Sequence, residues 1–353
     1  MQSIIEIIDH WLTEGHQIAV ATVIKTWGSS PQGVGAMMAI RDSGEFVGSV
    51  SGGCVEGAVI AEAGTAIKEQ RPSLLHFGVA DEIAWGVGLA CGGEIDVFIE
   101  PVDDDHADLY HEMKVNMKDQ RAFVFARVIR GSIDTVGLYL FLAEGFEAIS
   151  NMEGYLLDHV SAKTAFLLKE GVSLVEEIEM NDEIIEIYYD YHGPGPKLII
   201  VGGVHIAISL ASMAKSLGYK VFVVEPRSAF GTEERFPEVD LLVRMWPDKA
   251  LLEIGLDRST AVVVLTHDPK LDDPALEVAL LSAAFYVGAL GSRSTQEKRH
   301  QRLLEKGLAQ EDLDRLRAPI GLNLGGRAPE EIALSIMAEI LAVRTQSPII
   351  RHT

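Results

Sequence analysis

The chain has 353 residues and a formal net charge of −22 at pH 7. This length allows two or three domains with a sizeable core. So acidic a chain repels nucleic-acid phosphates, so we expect no nucleic-acid partner. No apolar run approaches the ~18 residues of a membrane span. The N-terminus carries acidic residues where a signal peptide needs basic ones, which favours a cytoplasmic protein with no membrane partner.

The first segment, residues 1–104, is predicted to be an α+β domain with glycine-rich loops. Its helices are recognised by apolar periodicity and an Ala-rich run without proline, and its strands by short apolar stretches between glycines. The predicted helices cover 3–14 and 55–70, and the predicted strands include 17–25, 35–40, 45–49 and 95–99.

Cys54 lies between the strand ending near residue 49 and the helix beginning near residue 55. Gly52 and Gly53 precede it and allow the backbone to approach a ligand closely. A helix N-terminus offers free N–H groups and a positive dipole end, which favour thiolate over thiol. We therefore expect Ser51, Gly52, Gly53 and Cys54 to handle a ligand. The alternative is that Cys54 is a small buried residue where a helix packs on a sheet.

Glu56 and Cys91 complete the candidate residues of this segment. Glu56 could begin the helix, where its charge suits the dipole, or accept a proton from a bound group. Cys91 is followed by a glycine pair at the entry to a strand, and both burial and thiol chemistry remain open for it. Two widely separated cysteines argue against a disulfide framework. The acidic run 103–105 is predicted to be a solvated loop.

The middle segment, 105–191, is predicted to be a further α+β region without a functional motif. Its predicted strands are 122–130, 135–142, 173–179 and 183–189, with a helix over 151–168. The glycine- and proline-rich stretch 192–196 follows, which neither helix nor sheet tolerates. It is the clearest domain boundary of the chain.

Residues 197–353 show apolar strands that alternate with helices, a pattern typical of a parallel sheet covered on both faces. A Rossmann-like, doubly wound domain is therefore predicted. Its predicted strands are 198–201, 220–225, 241–245, 261–265 and 285–290, and its helices include 206–217, 274–284 and 329–344.

The first turn of this domain resembles a dinucleotide-binding fingerprint with one departure. Gly202 suits the tight turn, Gly203 follows it, and Glu225 lies where an acid usually holds the ribose. Val204 replaces the glycine that lets a pyrophosphate approach the backbone. NAD(P) binding is therefore doubtful, and the alternatives are a scaffold without a dinucleotide or another ligand at the strand ends.

Polar residues follow several of these strands, at the edge where doubly wound sheets bind ligands. Arginines there could bind an anion or form surface pairs. The histidines are expected to be hydrogen-bonded rather than metal ligands, because no ligand spacing supports a metal. The candidates are His205, Glu225, Arg227, Thr266, His267, Asp268, Ser292 and Arg293, with Arg327 in a late loop.

Residues 21–56, with Gly28-Ser-Ser-Pro31 and the run Ser51 to Glu56, resemble the N-terminal domain of the XdhC/CoxI family. The C-terminal half resembles the Rossmann-type domain of that family. The matching stretches are 224–227, 234–237, 265–269, 288–293, 318–322 and 329–335. The chain departs from the family at Val204, where a glycine is usual, and at Asn323, where an aspartate is usual.

The resemblance implies an accessory protein of xanthine dehydrogenase or a related molybdenum hydroxylase. Such a protein binds molybdenum cofactor transiently, assists its sulfuration with a cysteine desulfurase, and inserts it into the client. Cys54 would be a soft ligand for molybdenum or sulfur. The alternatives are an NAD(P)-dependent oxidoreductase and a scaffold without a ligand.

We also expect a homodimer held by apolar surface, since two copies of so acidic a chain repel one another. The last predicted helix offers more apolar residues than one narrow stripe requires. They are Ile332, Leu334, Ile336, Met337, Ile340 and Leu341.

Overall fold

The computed structural model describes residues 2–28, 32–78, 93–180 and 183–345. The chain divides into two compact units, Met1–Pro194 and Gly195–Thr353. The division falls within the predicted linker 192–196. No described helix is long and apolar enough to cross a membrane.

The first unit begins with a sheet that is antiparallel throughout, with the described strands in the order β3-β2-β1-β5-β4. Helix α2 covers one face, where its Val59 and Ala63 pack on Val23 and Val97. Helices α1 and α3 pack on the other face. The elements are α1 (Gln2–Thr13), β1 (Ile18–Trp27), β2 (Met37–Arg41), β3 (Phe46–Gly48), α2 (Glu56–Glu69), β4 (Ser73–Phe77), β5 (Glu94–Val102) and α3 (Asp104–Lys118).

A second antiparallel sheet follows in the same unit, in the order β8-β7-β6-β10-β9. Helix α4 covers its outer face through Leu156, Val160 and Leu167. Its elements are β6 (Phe123–Arg130), β7 (Tyr139–Ala143), β8 (Ile149–Ser150), α4 (Gly154–Glu170), β9 (Leu174–Met180) and β10 (Glu183–His192).

The inner faces of these two sheets pack on each other and bury one arginine between them. Arg127 of β6 is 1% exposed, and its guanidinium pairs with Glu100 of β5 and, at 3.4 Å, with Asp190 of β10. Burial disfavours the charge, but the two carboxylates raise the pKa of Arg127. Removing one partner of such an ion pair destabilises the protein strongly, because the charge of the other partner stays buried without compensation. It therefore ties the two sheets into one unit.

The second unit is a parallel sheet in the order β13-β12-β11-β14-β15-β16, covered on both faces. Helices α5 and α10 pack on one face, and α6, α7 and α8 on the other. The elements are β11 (Lys197–Val201), α5 (His205–Ser216), β12 (Lys220–Val224), β13 (Leu241–Val243), α6 (Pro247–Ile254), β14 (Thr260–Val264), α7 (Pro269–Leu280), β15 (Tyr286–Ala289), α8 (Arg293–Glu305), α9 (Gln310–Leu313), β16 (Leu316–Arg317) and α10 (Pro329–Arg344).

The predicted fold class is confirmed, but several predicted boundaries are wrong, including the strand expected over 135–142, which begins only at Tyr139. The acidic run 103–105 is not a solvated loop: Asp103 caps α3 by accepting from the N–H of His106. Helix α7 begins at Pro269 rather than near Pro274, because Asp268 caps it and proline is well suited to the first helical position. In both cases an aspartate that we assigned to a loop or a site begins a helix.

Candidate functional site

Cys54 lies in the turn that joins β3 to α2. Gly52 and Gly53 adopt positive φ angles of 78° and 119°. Residues that carry a Cβ rarely adopt such angles. Ser51 and Val55 on either side are buried, whereas Cys54 is exposed. The alternative that Cys54 is a small core residue therefore does not apply.

The Glu56 carboxylate is the centre of this turn and is 8% exposed. Its Oε1 accepts hydrogen bonds from the Ser49 hydroxyl at 2.7 Å and the Ser51 N–H at 2.9 Å. Its Oε2 accepts from the Ser51 hydroxyl at 2.6 Å and the Gly53 N–H at 2.9 Å. The four donors surround the carboxylate, and together they fix the path of the backbone before α2.

The two serine hydroxyls extend this network to the rest of the turn. Ser51 Oγ accepts from the N–H groups of Cys54 and Val55, both at 3.0 Å. Ser49 Oγ accepts from the Gly52 N–H at 2.8 Å. Ser49 was not among the predicted residues, although a small polar residue seven positions before Glu56 is the signal that could have identified it.

The turn therefore differs from the expected cradle of free N–H groups. The N–H groups of all five residues from Ser51 to Val55 are bonded to side chains of the turn itself. An anion could reach them only by displacing the Glu56 carboxylate or a serine hydroxyl. What the turn presents to solvent is a thiol on a rigid support.

The same hydrogen bonds decide the charge of Glu56. Burial opposes the charged form, but the bonds from Ser51 and Ser49 outweigh it and lower the pKa of Glu56 to about 2. A carboxylate with so low a pKa is a weak base near neutral pH. Glu56 is consequently suited to holding the turn rather than to accepting a proton. The other cysteine, Cys91, lies outside the described residues.

In the second unit, the turn after β11 is enclosed by a neighbouring side chain and by neighbouring backbone. A Cβ on Gly202, whose φ is 110°, would lie 2.6 Å from Cγ2 of Thr266. A Cβ on Gly203 would lie 2.7 Å from the carbonyl oxygen of Phe230. The segment after β12 thus folds back over the turn that would face a pyrophosphate.

Glu225 follows directly after β12 and is fully buried, and groups of the same unit occupy both of its carboxylate oxygens. Oε2 accepts from the Gly203 N–H at 2.8 Å and from Nη2 of Arg227 at 2.7 Å. Oε1 accepts from the backbone N–H and Nε of Arg227 at 2.9 and 2.8 Å. The Arg227 guanidinium also stacks on the Phe230 ring, 4.5 Å from its centroid. The position at which a Rossmann acid binds a ribose is filled by Arg227.

The loop after β14 is attached through Thr266 to a buried ion pair between Asp272 and Arg299. The Thr266 hydroxyl donates to Asp272, whose other oxygen accepts from Arg299 at 2.7 Å. Burial raises the pKa of Asp272. His267, the next residue after Thr266, is exposed. It adopts a positive φ of 65°, which is unusual for a residue other than glycine.

The remaining predicted residues either cap a helix or are exposed. Ser292 caps α8 by accepting from the Thr295 N–H, and Asp268 caps α7 by accepting from the Lys270 N–H. His205, in the first turn of α5, and Arg293 are exposed. Within the described residues, no three His, Cys, Asp or Glu side chains lie close enough to hold a metal ion. The strand ends thus gather the predicted residues, but several of them serve the fold.

The fold and the site together define a class of protein. One unit is an α+β fold with an exposed thiol on a turn that Glu56 holds in place. The other is a Rossmann-type fold in which Arg227 of the same unit occupies the acid that would bind a ribose. Two family models match the chain in this order. Residues 11–78 match the model of the XdhC and CoxI family, and residues 198–340 match that of the XdhC Rossmann domain. Together they span more than half of the chain, and the chain belongs to the XdhC and CoxI family, as predicted.

Relatives of known name are similar over nearly the whole chain. A protein of Bacillus subtilis (strain 168), named as a probable subunit of xanthine dehydrogenase, is 27% identical over 345 residues, which are 97% of this chain and 98% of that protein. The molybdenum cofactor insertion chaperone PaoD of Escherichia coli (strain K12) is 27% identical over 334 residues, 94% of this chain and 85% of that protein.

A solved structure shows the same fold. The crystal structure described as a xanthine dehydrogenase from Bacillus halodurans superposes with a TM-score of 0.74 and covers 98% of this chain and 96% of its own. Its sequence is 24% identical, so this likeness supports the architecture alone.

Proposed function

We propose that this protein is a molybdenum cofactor insertion chaperone that serves xanthine dehydrogenase or a related molybdenum hydroxylase. Membership of the XdhC and CoxI family supports this function, as do relatives named as a cofactor insertion chaperone and as part of xanthine dehydrogenase. The protein would bind the cofactor transiently, assist its sulfuration with a cysteine desulfurase, and release it to the client. A homodimer is part of the same proposal.

The observation that carries the proposal is the exposed thiol of Cys54 on its supported turn. When bound, molybdenum cofactor supplies a thiophilic metal centre, for which a thiolate is a suitable soft ligand. An exposed cysteine thiolate can also attack the outer sulfur of a desulfurase persulfide, which releases the desulfurase thiolate and leaves the persulfide on the cysteine. The Glu56 network fixes the direction of the turn, so the thiol is positioned before any cofactor arrives.

The hydrogen bonds of the turn support a narrower role for it towards the cofactor. Its N–H groups are engaged by Glu56, Ser49 and Ser51, so the phosphate of the pterin needs other partners. An acidic chain repels that phosphate at long range, and local cations are therefore required. The fit of the turn is to the metal or sulfur end of the cofactor.

The test is the content of protein purified without oxygen from cells that make the cofactor. Mass spectrometry and an absorbance spectrum identify what is bound. We expect a pterin together with molybdenum in a substantial fraction of the molecules. Bound NAD instead would support an oxidoreductase, and protein that carries neither would support a scaffold and contradict the proposal.

A further inference from the structure

The outer strands of the three described sheets differ in how they are protected against pairing with another chain. An outer strand has unpaired N–H and C=O groups along its free edge, and proteins usually protect it by making it short or by placing charges on it. Four of the described outer strands are only two or three residues long: β3, β8, β13 and β16. The seven-residue outer strand β9 carries Glu176, Glu177 and Glu179.

Strand β4, at the edge of the first sheet, has neither protection. Its five residues are Ser-Leu-Leu-His-Phe, without a proline or a carboxylate. Within the part of the chain that the structure describes, β4 pairs with β5 alone, in antiparallel register. Every second residue of such a strand directs its N–H and C=O groups away from its partner. Strand β4 can therefore accept one further strand.

A cavity of about 490 Å³ lies beside β4, between this strand and the end of β6 with the loop that follows it. Leu74 and Ser73 of β4 line one side, and the Ser73 hydroxyl is buried without a hydrogen-bond partner among the described residues. Ile133 lines the other side and is 71% exposed. An apolar side chain between Leu74 and Ile133 would remove this surface from water.

The charge at this cavity favours a carboxylate. Arg71 lines it, is exposed, and forms no ion pair with any described residue. Arg130 lines it as well and pairs with Glu186 at 3.2 Å. A guanidinium binds a carboxylate through two parallel N–H groups. Two copies joined through β4 would bring their arginines together, so charge complementarity favours a partner other than this chain.

The position of β4 suits a partner protein that stays bound while the thiol works. Cys54 precedes α2 and Arg71 follows it, so the 14 residues of this helix lie between them. A helix of that length extends ~21 Å. A protein held at β4 therefore leaves the Cys54 turn accessible.

We propose that an extended segment of the client hydroxylase adds to the free edge of β4. Its main chain pairs with β4, an apolar side chain packs between Leu74 and Ile133, and a carboxylate binds Arg71. Strand addition of this kind derives affinity from main-chain hydrogen bonds and specificity from side-chain contacts. The inference rests on the proposed function, because it assigns a docking surface to the client.

The first test is hydrogen exchange of this protein alone and with an excess of client hydroxylase from cells that cannot make the cofactor. The amides of β4 that point away from β5 should exchange at least about tenfold more slowly in the complex. Strand β9 is the matched control, because it is also an outer strand of the same unit and should exchange at an unchanged rate.

The second test measures the affinity of variants for the same client. Arg71→Glu should weaken binding about tenfold, because it replaces attraction by repulsion. Arg121→Glu is the matched control: it reverses the charge of another arginine of this unit, which pairs with Asp119, and should change the affinity by less than about twofold. Equal thermal midpoints of the two variants check that both are folded.

The outcomes separate this inference from the proposed function. A client that binds without slowing exchange in β4, or that binds Arg71→Glu as tightly as wild type, would show that β4 is not the docking strand. The proposed function would still stand if protein from cells carries pterin and molybdenum. Protection of β4 by the client, on protein that carries no cofactor in cells, would support the docking strand and contradict the chaperone function. A client that does not bind at all would contradict both.

Discussion

At the residue scale, one carboxylate organises the turn that carries the exposed thiol. Glu56 receives four hydrogen bonds from Ser49, Ser51 and Gly53, and this explains why a residue at the start of a helix is 8% exposed. A proton acceptor in the same position would need a free lone pair and a higher pKa. Glu56 thus supports the turn that carries the thiol of Cys54 and does not act as its base.

Glu56→Gln should lower the free energy of unfolding at pH 7 by about 1–3 kcal/mol, because it removes the charged acceptor of these bonds. The pKa of Glu56 is lowered from 4.5 to about 2 in the folded protein. Its contribution is therefore complete above pH ~4.5 and is lost as the pH falls towards 2. Denaturant unfolding between pH 7 and pH 3 should show the difference between wild type and variant narrowing.

The control for that series is Glu69→Gln, which makes the same change at an exposed position near the end of α2. It should leave the free energy of unfolding within about 0.5 kcal/mol at each pH, as is usual for surface substitutions. An equal loss for both variants, or a Glu56→Gln difference that does not depend on pH, would show that the carboxylate is not the support of the turn.

At the element scale, the sequence was sufficient for the longer strands of the sheets, but not for the two-residue strands β8 and β16 or for the turns. The apolar strands β11, β12 and β14 are recognisable because a parallel sheet buries both faces of each strand. The start of α7 was misplaced because proline often interrupts a helix. Here Pro274 lies inside a helix that already begins at Pro269. The filling of the ribose position could not be predicted, since it depends on the segment after Glu225 folding back over Gly203.

That closed turn gives a prediction for the second unit. Calorimetric titration with NAD and with NADP should detect no binding at micromolar concentrations. Val204→Gly alone should not create it, because Arg227 still occupies the Glu225 carboxylate and the Phe230 carbonyl still covers Gly203. Micromolar affinity of the wild type for either dinucleotide would overturn this interpretation and favour the oxidoreductase alternative.

At the scale of the whole molecule, net charge and apolar surface act in opposite directions on self-association. Salt screens the repulsion between two acidic copies beyond ~8–10 Å, so a dimer needs buried apolar area at contact. The structure places Ile336, Met337 and Ile340 of α10 in the core against α5. Leu334 and Leu341 remain 53% and 36% exposed and, seven positions apart, lie on one face of the helix.

If the protein forms a homodimer through the face of Leu334 and Leu341, we expect light scattering at moderate salt to give twice the 38.4 kDa mass of one chain. Leu334→Glu should convert it to a monomer by placing a charge in the contact. Leu252→Glu, on α6, changes a residue that is 71% exposed elsewhere in the same unit and should leave the dimer intact. A mass of 38.4 kDa for the wild type at every concentration would rule the dimer out.

In the proposed function the exposed thiol of Cys54 holds the metal or sulfur end of molybdenum cofactor, and the substitution Cys54→Ala removes that thiol. The decisive measurement is pterin and molybdenum per chain after purification without oxygen, with Cys91→Ala as the comparison and the thermal midpoint as the check on folding. We expect Cys54→Ala to lose most of the bound cofactor, about tenfold or more, at an unchanged midpoint, since it removes an exposed ligand and no core side chain. Wild-type amounts of pterin and molybdenum on a folded Cys54→Ala protein would contradict the claim.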